Sequence, residues 1–305
     1  MGLDTDLLIE RRRLKRRLSL WRALAVVAGI AAIAALVGLA APDGTIPGRA
    51  HVARLTVRGF IGDDRRVIEA LDRAARDQNV QALILAIDSP GGSMAGGEAL
   101  HAAIARFAAR KPVVATMGGT GASAAYMIAM PAHRVLARDS TLTGSIGVLL
   151  QTFDLSDLMA RLGVRAETLV SGPLKNQPGL FHPLSEEGRA SLARIIADLH
   201  GQFVAIVATG RRMEEARVRE LAEGRIFTGR EAVGLGLIDA IGAEAEARAW
   251  LAAERAVPAT TPVRDLETRS ATERLLSSSL GAVINSVVSE WLVVDGPVAV
   301  WQPSR

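Results

Sequence analysis

Cysteine is absent from this 305-residue chain. Disulfides, thiolate metal sites and a cysteine nucleophile are thereby excluded, while compartment is left open. Aromatic residues are scarce, at 4% with a single tyrosine. No basic stripe with interleaved aromatics occurs, which excludes a nucleic-acid partner despite the high isoelectric point. The net charge of +4 is also misleading. Residues 1–19 hold six Lys/Arg against three Asp/Glu, so most of the excess sits there and the rest is nearly neutral. Histidines are few and scattered: His51, His101, His133, His182 and His200. None lies in a His-Glu-x-x-His pattern, so neither a metal nor a cofactor is expected.

Hydrophobic residues, by contrast, make up 49% of the chain. Ala23 to Ala41 is an uninterrupted apolar run. As a helix it spans roughly 28 Å, close to the roughly 30 Å of a bilayer's hydrocarbon core. Trp21 stands at its entrance and Arg11-Arg12-Arg13-Leu14-Lys15-Arg16-Arg17 just before it. The positive-inside rule keeps residues 1–19 in the cytoplasm and carries the chain from about residue 43 outward. The run exceeds the apolar core of a cleavable signal peptide, although Gly38-Leu39-Ala40 has a cleavage-site pattern. The expected organisation is a basic segment (1–19), a transmembrane anchor (20–41), a linker (42–50), a globular domain (51–256) and a C-terminal extension (257–305). Within the extension, 275–292 reads as an apolar helix.

From residue 51 onward, strand and helix patterns alternate, which predicts a layered α/β domain with a mostly parallel sheet. Val80 to Ile87 is a near-continuous apolar run ending at Asp88-Ser89-Pro90-Gly91-Gly92, as for a buried parallel strand entering a turn. Further strands are expected at 51–57, 113–117, 134–137, 146–150 and 166–170. Helices are expected at 67–75, 94–109, 122–130, 155–162, 185–210, 214–222, 230–235 and 244–256. Ser185 and Thr228 read as helix caps.

Ser123 lies among small residues in Gly-Ala-Ser-Ala-Ala-Tyr, and Lys175 comes later in Ser-Gly-Pro-Leu-Lys-Asn. A serine attacks a carbonyl only when a base takes its proton. Small neighbours let a substrate backbone approach and let a helix begin at once, with free N–H groups to hold an oxyanion. A lysine can be that base if burial brings its pKa from ~10.4 to roughly 7–8, a shift of roughly 4 kcal/mol. Taken alone, the string around Ser123 also fits a tight helix contact, and Lys175 a solvated loop.

The ordered set of motifs goes further. Asp88-Ser-Pro-Gly-Gly, Ala122-Ser-Ala-Ala-Tyr, Thr143-Gly-Ser-Ile-Gly-Val, Ser171-Gly-Pro-Leu-Lys and Thr228-Gly-Arg-Glu-Ala with Gly236-Leu-Ile-Asp occur in that order. The chain thereby resembles the bacterial signal peptide peptidase A (SppA) family of membrane-anchored serine proteases over residues 51–250. The resemblance implies a ClpP/crotonase-type fold and a Ser-Lys dyad, with Ser123 as nucleophile and Lys175 as general base. It implies an oxyanion hole from the backbone N–H groups of Gly92 and Ala124, and Ser145 as the hydroxyl orienting the lysine. It implies no cofactor and peptide substrates, remnant signal peptides among them. It further implies a ring-like homo-oligomer on the inner membrane, with the catalytic domain periplasmic and sites shared between neighbouring subunits. Ala124-Ala125 stand where the family has Gly-Gly, and Asn176 where it often has Asp. Two other classes fit the fold: a crotonase-like acyl-thioester enzyme, disfavoured by export, and a catalytically silent membrane scaffold.

Overall fold

The computed structural model describes residues 50–268, with short helical stretches at 17–18, 21–22 and 24–29. Most of the expected anchor and the apolar segment at 275–292 lie outside the described residues. The chain divides between residues 49 and 50, and all the described strands belong to the second unit.

Strand β1 (His51–Ile61) leads through helix α1 (Arg65–Arg76) to β2 (Val80–Gly92), then α2 (Met94–Ala108) and β3 (Val113–Ala122). These three strands are parallel neighbours at the centre of the sheet. The apolar run of β2 has a simple cause. Leu83, Leu85 and Ile87 enter the larger core cluster, while Ala82 and Ile84 enter a second one on the other face, with Ala247 and Leu251. A strand covered on both faces needs no polar alternation.

After β3 come the single-turn helix α3 (Ala124–Met127), β4 (Arg134–Ala137) and β5 (Leu142–Gly144). β4 pairs with the first half of β3 and β5 with its end, so the outer edge of β3 is shared. A long excursion comes next, holding only α4 (Ser156–Arg161) before α5 (Glu186–Arg211). Helix α6 (Glu215–Leu221), β6 (Ile226–Thr228), α7 (Gly229–Gly234), β7 (Ala240–Ile241), α8 (Glu244–Arg255) and β8 (Val263–Asp265) complete the described chain. Only the β5–β6 pair is antiparallel among the described strands. The layered α/β class with a mostly parallel sheet is therefore as the sequence predicts. β8, inside the segment read as an extension, pairs with β1 at Val52–Arg54.

Ser185 and Thr228 cap α5 and α7 as expected, Thr228 in a capping box with Glu231. The strands expected at 146–150 and 166–170 do not form. The first run is apolar and the second carries Leu169 and Val170, but neither finds a ladder to join. Leu149 and Leu169 are 84% and 92% exposed. The helix expected over 122–130 is confined to Ala124–Met127. Beyond it, Ala129 N–H and Met130 N–H bond back to the carbonyls of Tyr126 and Met127, tightening the turn until it ends. Helix α5 is also long and apolar enough to cross a membrane. Here Phe203, Val204, Val207 and Ala208 pack its second half into the core.

The Gly236-Leu-Ile-Asp motif ties the serine helix to this core. Tyr126 is fully buried and its hydroxyl donates to the Leu237 carbonyl at 2.6 Å. Asp239 receives the Arg211 guanidinium at 2.8 Å and the Val135 N–H at 2.6 Å. Replacing Tyr126 with Phe leaves that carbonyl buried and unpaired. The expected loss is about 1–3 kcal/mol, read from the urea midpoint. An unchanged midpoint would show that the carbonyl finds another donor.

The same region sets acid stability. Burial pushes the Asp239 carboxyl upward, but the Arg211 bond and charge outweigh it and hold the group below the ordinary range. Burial also lowers the imidazoles of His101 and His133. All three folded-state values are depressed, so the unfolded chain takes up protons first as pH falls. Stability is expected to fall below about pH 6.5 through the histidines and again below about pH 4 through Asp239. Urea midpoints at pH 7.5, 5 and 3.5 test this; equal values would contradict the sign.

Candidate active site

β2 and β3 end side by side, and the expected site is built where they stop. Ser123 continues directly from β3 with φ 56° and ψ −127°. Such a backbone in a non-glycine residue stores about 1–3 kcal/mol of strain. The turn is held because the Ser123 N–H donates to the Gly144 carbonyl at 2.9 Å. β5 is locked against the end of β3 by Thr143, whose hydroxyl donates to the Gly121 carbonyl at 2.8 Å. The Ser123 side chain caps no backbone group, which leaves its hydroxyl for other work.

Ala124 opens α3, so its N–H has no intrahelical acceptor. Gly91, with φ 118°, lies against this turn. A Cβ there would stand 2.8 Å from Ser123 Cβ and 3.2 Å from Ala124 N. Ser89, fully buried, donates its hydroxyl to the Gly59 carbonyl at 2.6 Å and receives the Gly91 N–H at 3.1 Å. The serine of Asp-Ser-Pro-Gly-Gly thus holds Gly91 in place. Gly92 is pressed against β1, where a Cβ would overlap the Ile61 backbone. The two departures after Ser123 are accommodated. Ala124 Cβ meets Gly97 of α2, and Ala125 is fully buried.

Ser123, Ala124, Gly92 and Ser145 all line one cleft of about 970 Å³. Ser145 comes directly after the Gly144 turn with φ 47°, its N–H donating to the Arg225 carbonyl at 2.7 Å. Phe60, Met94, Met127, Leu149, Ile196 and Phe203 make the lining largely apolar. Lys175 is not brought to this cleft within the chain. It lies exposed in the excursion after β5. Its neighbour Asn176 instead engages the His182 ring at 2.6 Å.

Several lining residues escaped the sequence reading. His200 and Phe203 lie on α5, and Glu223 on the turn after α6. The spacing of Ala193, Ile196, His200 and Phe203 marks one helical face and could have placed His200 beside an apolar surface. His200 Nε2 bonds the Ala222 carbonyl at 2.8 Å, and a carbonyl can only accept, so Nε2 carries the proton. Among the described residues no three His, Asp or Glu side chains group closely enough to hold a metal ion.

A strained serine at a strand end, beside a helix N-terminus and over an apolar cleft, is the arrangement of a serine hydrolase. Similarity to known proteins narrows the class. Residues 105–258 match peptidase family S49. A candidate protease of Synechocystis is 37% identical over 206 residues, covering 67% of this chain and 74% of the relative. A candidate signal peptide peptidase SppA of Enterococcus faecium is 30% identical, covering 79% and 72%. Protease 4 of Salmonella typhi is 34% identical over 60% of this chain but only 30% of its own length. Among solved structures, a membrane-bound stomatin-specific protease superposes with a TM-score of 0.47 at 16% identity, over 72% of this chain and 99% of that one. The chain belongs to peptidase family S49, the SppA family of serine proteases.

Proposed function

We propose that this protein is a membrane-anchored serine endopeptidase working through a Ser-Lys dyad. Ser123 attacks the scissile carbonyl. The N–H groups of Gly92 and Ala124 stabilise the oxyanion that forms. Lys175 takes the serine proton and returns it to the leaving amine, oriented by the Ser145 hydroxyl. The observation that carries this reading is the convergence of Ser123, Ala124, Gly92 and Ser145 on one apolar cleft, although their sequence positions span 54 residues.

The missing base is supplied by a second copy of the chain in a ring-like oligomer. Two features support this. Lys175 is exposed and does not line the cleft, whereas a lysine base needs burial against apolar surface. The excursion bearing it also exposes Leu149, Phe153, Leu158, Leu162, Leu169 and Phe181. A monomer rarely leaves so much apolar surface uncovered. The apolar run at 23–41, the basic segment before it and the SppA relatives support an inner-membrane anchor with the catalytic domain outside. The substrates are then membrane-associated peptides, including signal peptides left after secretion.

The test is to expose detergent-solubilised protein to a fluorophosphonate and to an apolar peptide. Labelling at Ser123 together with defined internal cuts is expected. Absence of labelling at Ser123 favours an acyl-thioester enzyme if thioesters are turned over, and a silent scaffold if they are not.

A further inference from the structure

The cleft is apolar but not neutral. Among its lining residues only His200 and Glu223 are titratable. His200 is committed to the Ala222 carbonyl, and this bond fixes the turn that carries Glu223. On the other side of Glu223 the Gly224 N–H donates to the Ile146 carbonyl at 3.1 Å. One residue on, the Arg225 carbonyl receives the Ser145 N–H at 2.7 Å. The wall bearing Glu223 is therefore pinned to α5 and to the segment that holds Ser145. Glu223 itself is exposed and forms no ion pair among the described residues. Nearby Arg225 is engaged over the Phe227 ring, 5.1 Å from its centroid. A single unpaired carboxylate is thus held on a rigid wall of the cleft that contains Ser123.

We propose that Glu223 is a specificity-determining residue, selecting peptides in which a lysine or arginine lies beside the apolar residues that fill the cleft. The inference rests on the peptidase reading above. The carboxylate costs nothing while hydrated. It gains a partner when a cationic side chain enters, and an acidic one is repelled. Because the turn is anchored at Ala222, Gly224 and Arg225, little ordering accompanies binding. An exposed pair of this kind changes kcat/KM by about two- to fivefold.

The experiment uses the full-length protein in detergent and peptides alike except at one position, which carries lysine, norleucine or glutamate and is moved along the residues flanking the scissile bond. Wild type is expected to prefer lysine over norleucine, and norleucine over glutamate, at one such position. In Glu223→Gln the lysine-to-norleucine ratio of kcat/KM falls to near one. In Glu223→Lys the order reverses in favour of glutamate. Ratios are unaffected by a general loss of active enzyme. Unchanged ratios in both variants overturn the proposal, including the case where Glu223 instead meets an incoming Lys175 and all peptides slow alike. If wild type cleaves no peptide, or Ser123→Ala cleaves as well as wild type, the peptidase reading itself fails.

Discussion

Subunits carrying Ser123→Ala, mixed with subunits carrying Lys175→Ala, are expected to regain peptide hydrolysis that neither variant shows alone. Each single variant is expected to lose roughly four to six orders of magnitude in turnover, because nucleophile and base act as a unit. Ser123 lines the cleft and Lys175 does not. If the two act across an interface, a mixed oligomer contains contacts where an intact serine faces an intact lysine. A random equal mixture pairs them at one contact in four, so recovery to about a quarter of wild-type activity is expected. Urea midpoints should change little, since Lys175 is exposed and Ser123 caps no backbone group. No recovery in oligomers shown to be mixed would place each site within one chain. His200, already in the cleft with Ser123, would then be the first alternative base to examine.

How much of the fold and site is legible in the sequence depends on what each segment's apolar residues face. The run at Val80–Ile87 reads correctly as a buried strand, because both of its faces meet core. The run at 146–150 is equally apolar but turns outward after the buried Ile146, and 166–170 is exposed throughout, which composition alone does not reveal. The residues at the strand ends are identifiable only through the ordered set of motifs, since each string alone also fits an ordinary turn or a tight helix contact. What the motifs do not reveal is their division of labour. Gly236-Leu-Ile-Asp reads as a generic ending until Tyr126 is seen bonded to Leu237 and Asp239 to Arg211. Ser89 likewise reads as part of a turn until its hydroxyl is seen holding Gly91. Glu223 carries no local signal, and the helical spacing that puts His200 on an apolar face does not say that this face meets a cleft. The two residues reach the cleft only because α5 and the turn after α6 pack over the end of β3.

The glycine beside Ser123, the proposed nucleophile, provides the second large effect. Gly91→Ala is expected to lower turnover by about 10²-fold or more while the protein stays folded. The added methyl would stand 2.8 Å from Ser123 Cβ and 3.1 Å from the Ala122 carbonyl, so either the serine or the glycine backbone must move. Displacing a nucleophile by about 1 Å is enough for a loss of that order. The same shift moves Gly92, whose N–H is the proposed oxyanion donor, so both halves of the site are disturbed together. Backbone strain alone is not the cause, and Gly236→Ala separates the two effects. Gly236 has φ 76°, but a methyl there meets only the flexible tip of Met213 at 3.4 Å. It should lose about 1–2 kcal/mol of stability and keep its turnover. Fluorophosphonate labelling of Ser123 provides a second measure, which should slow in Gly91→Ala and not in Gly236→Ala. Equal turnover in wild type and Gly91→Ala would mean that the two strand ends do not meet as closely as this geometry requires, and the pairing of Gly92 with Ala124 as oxyanion donors would fall with it.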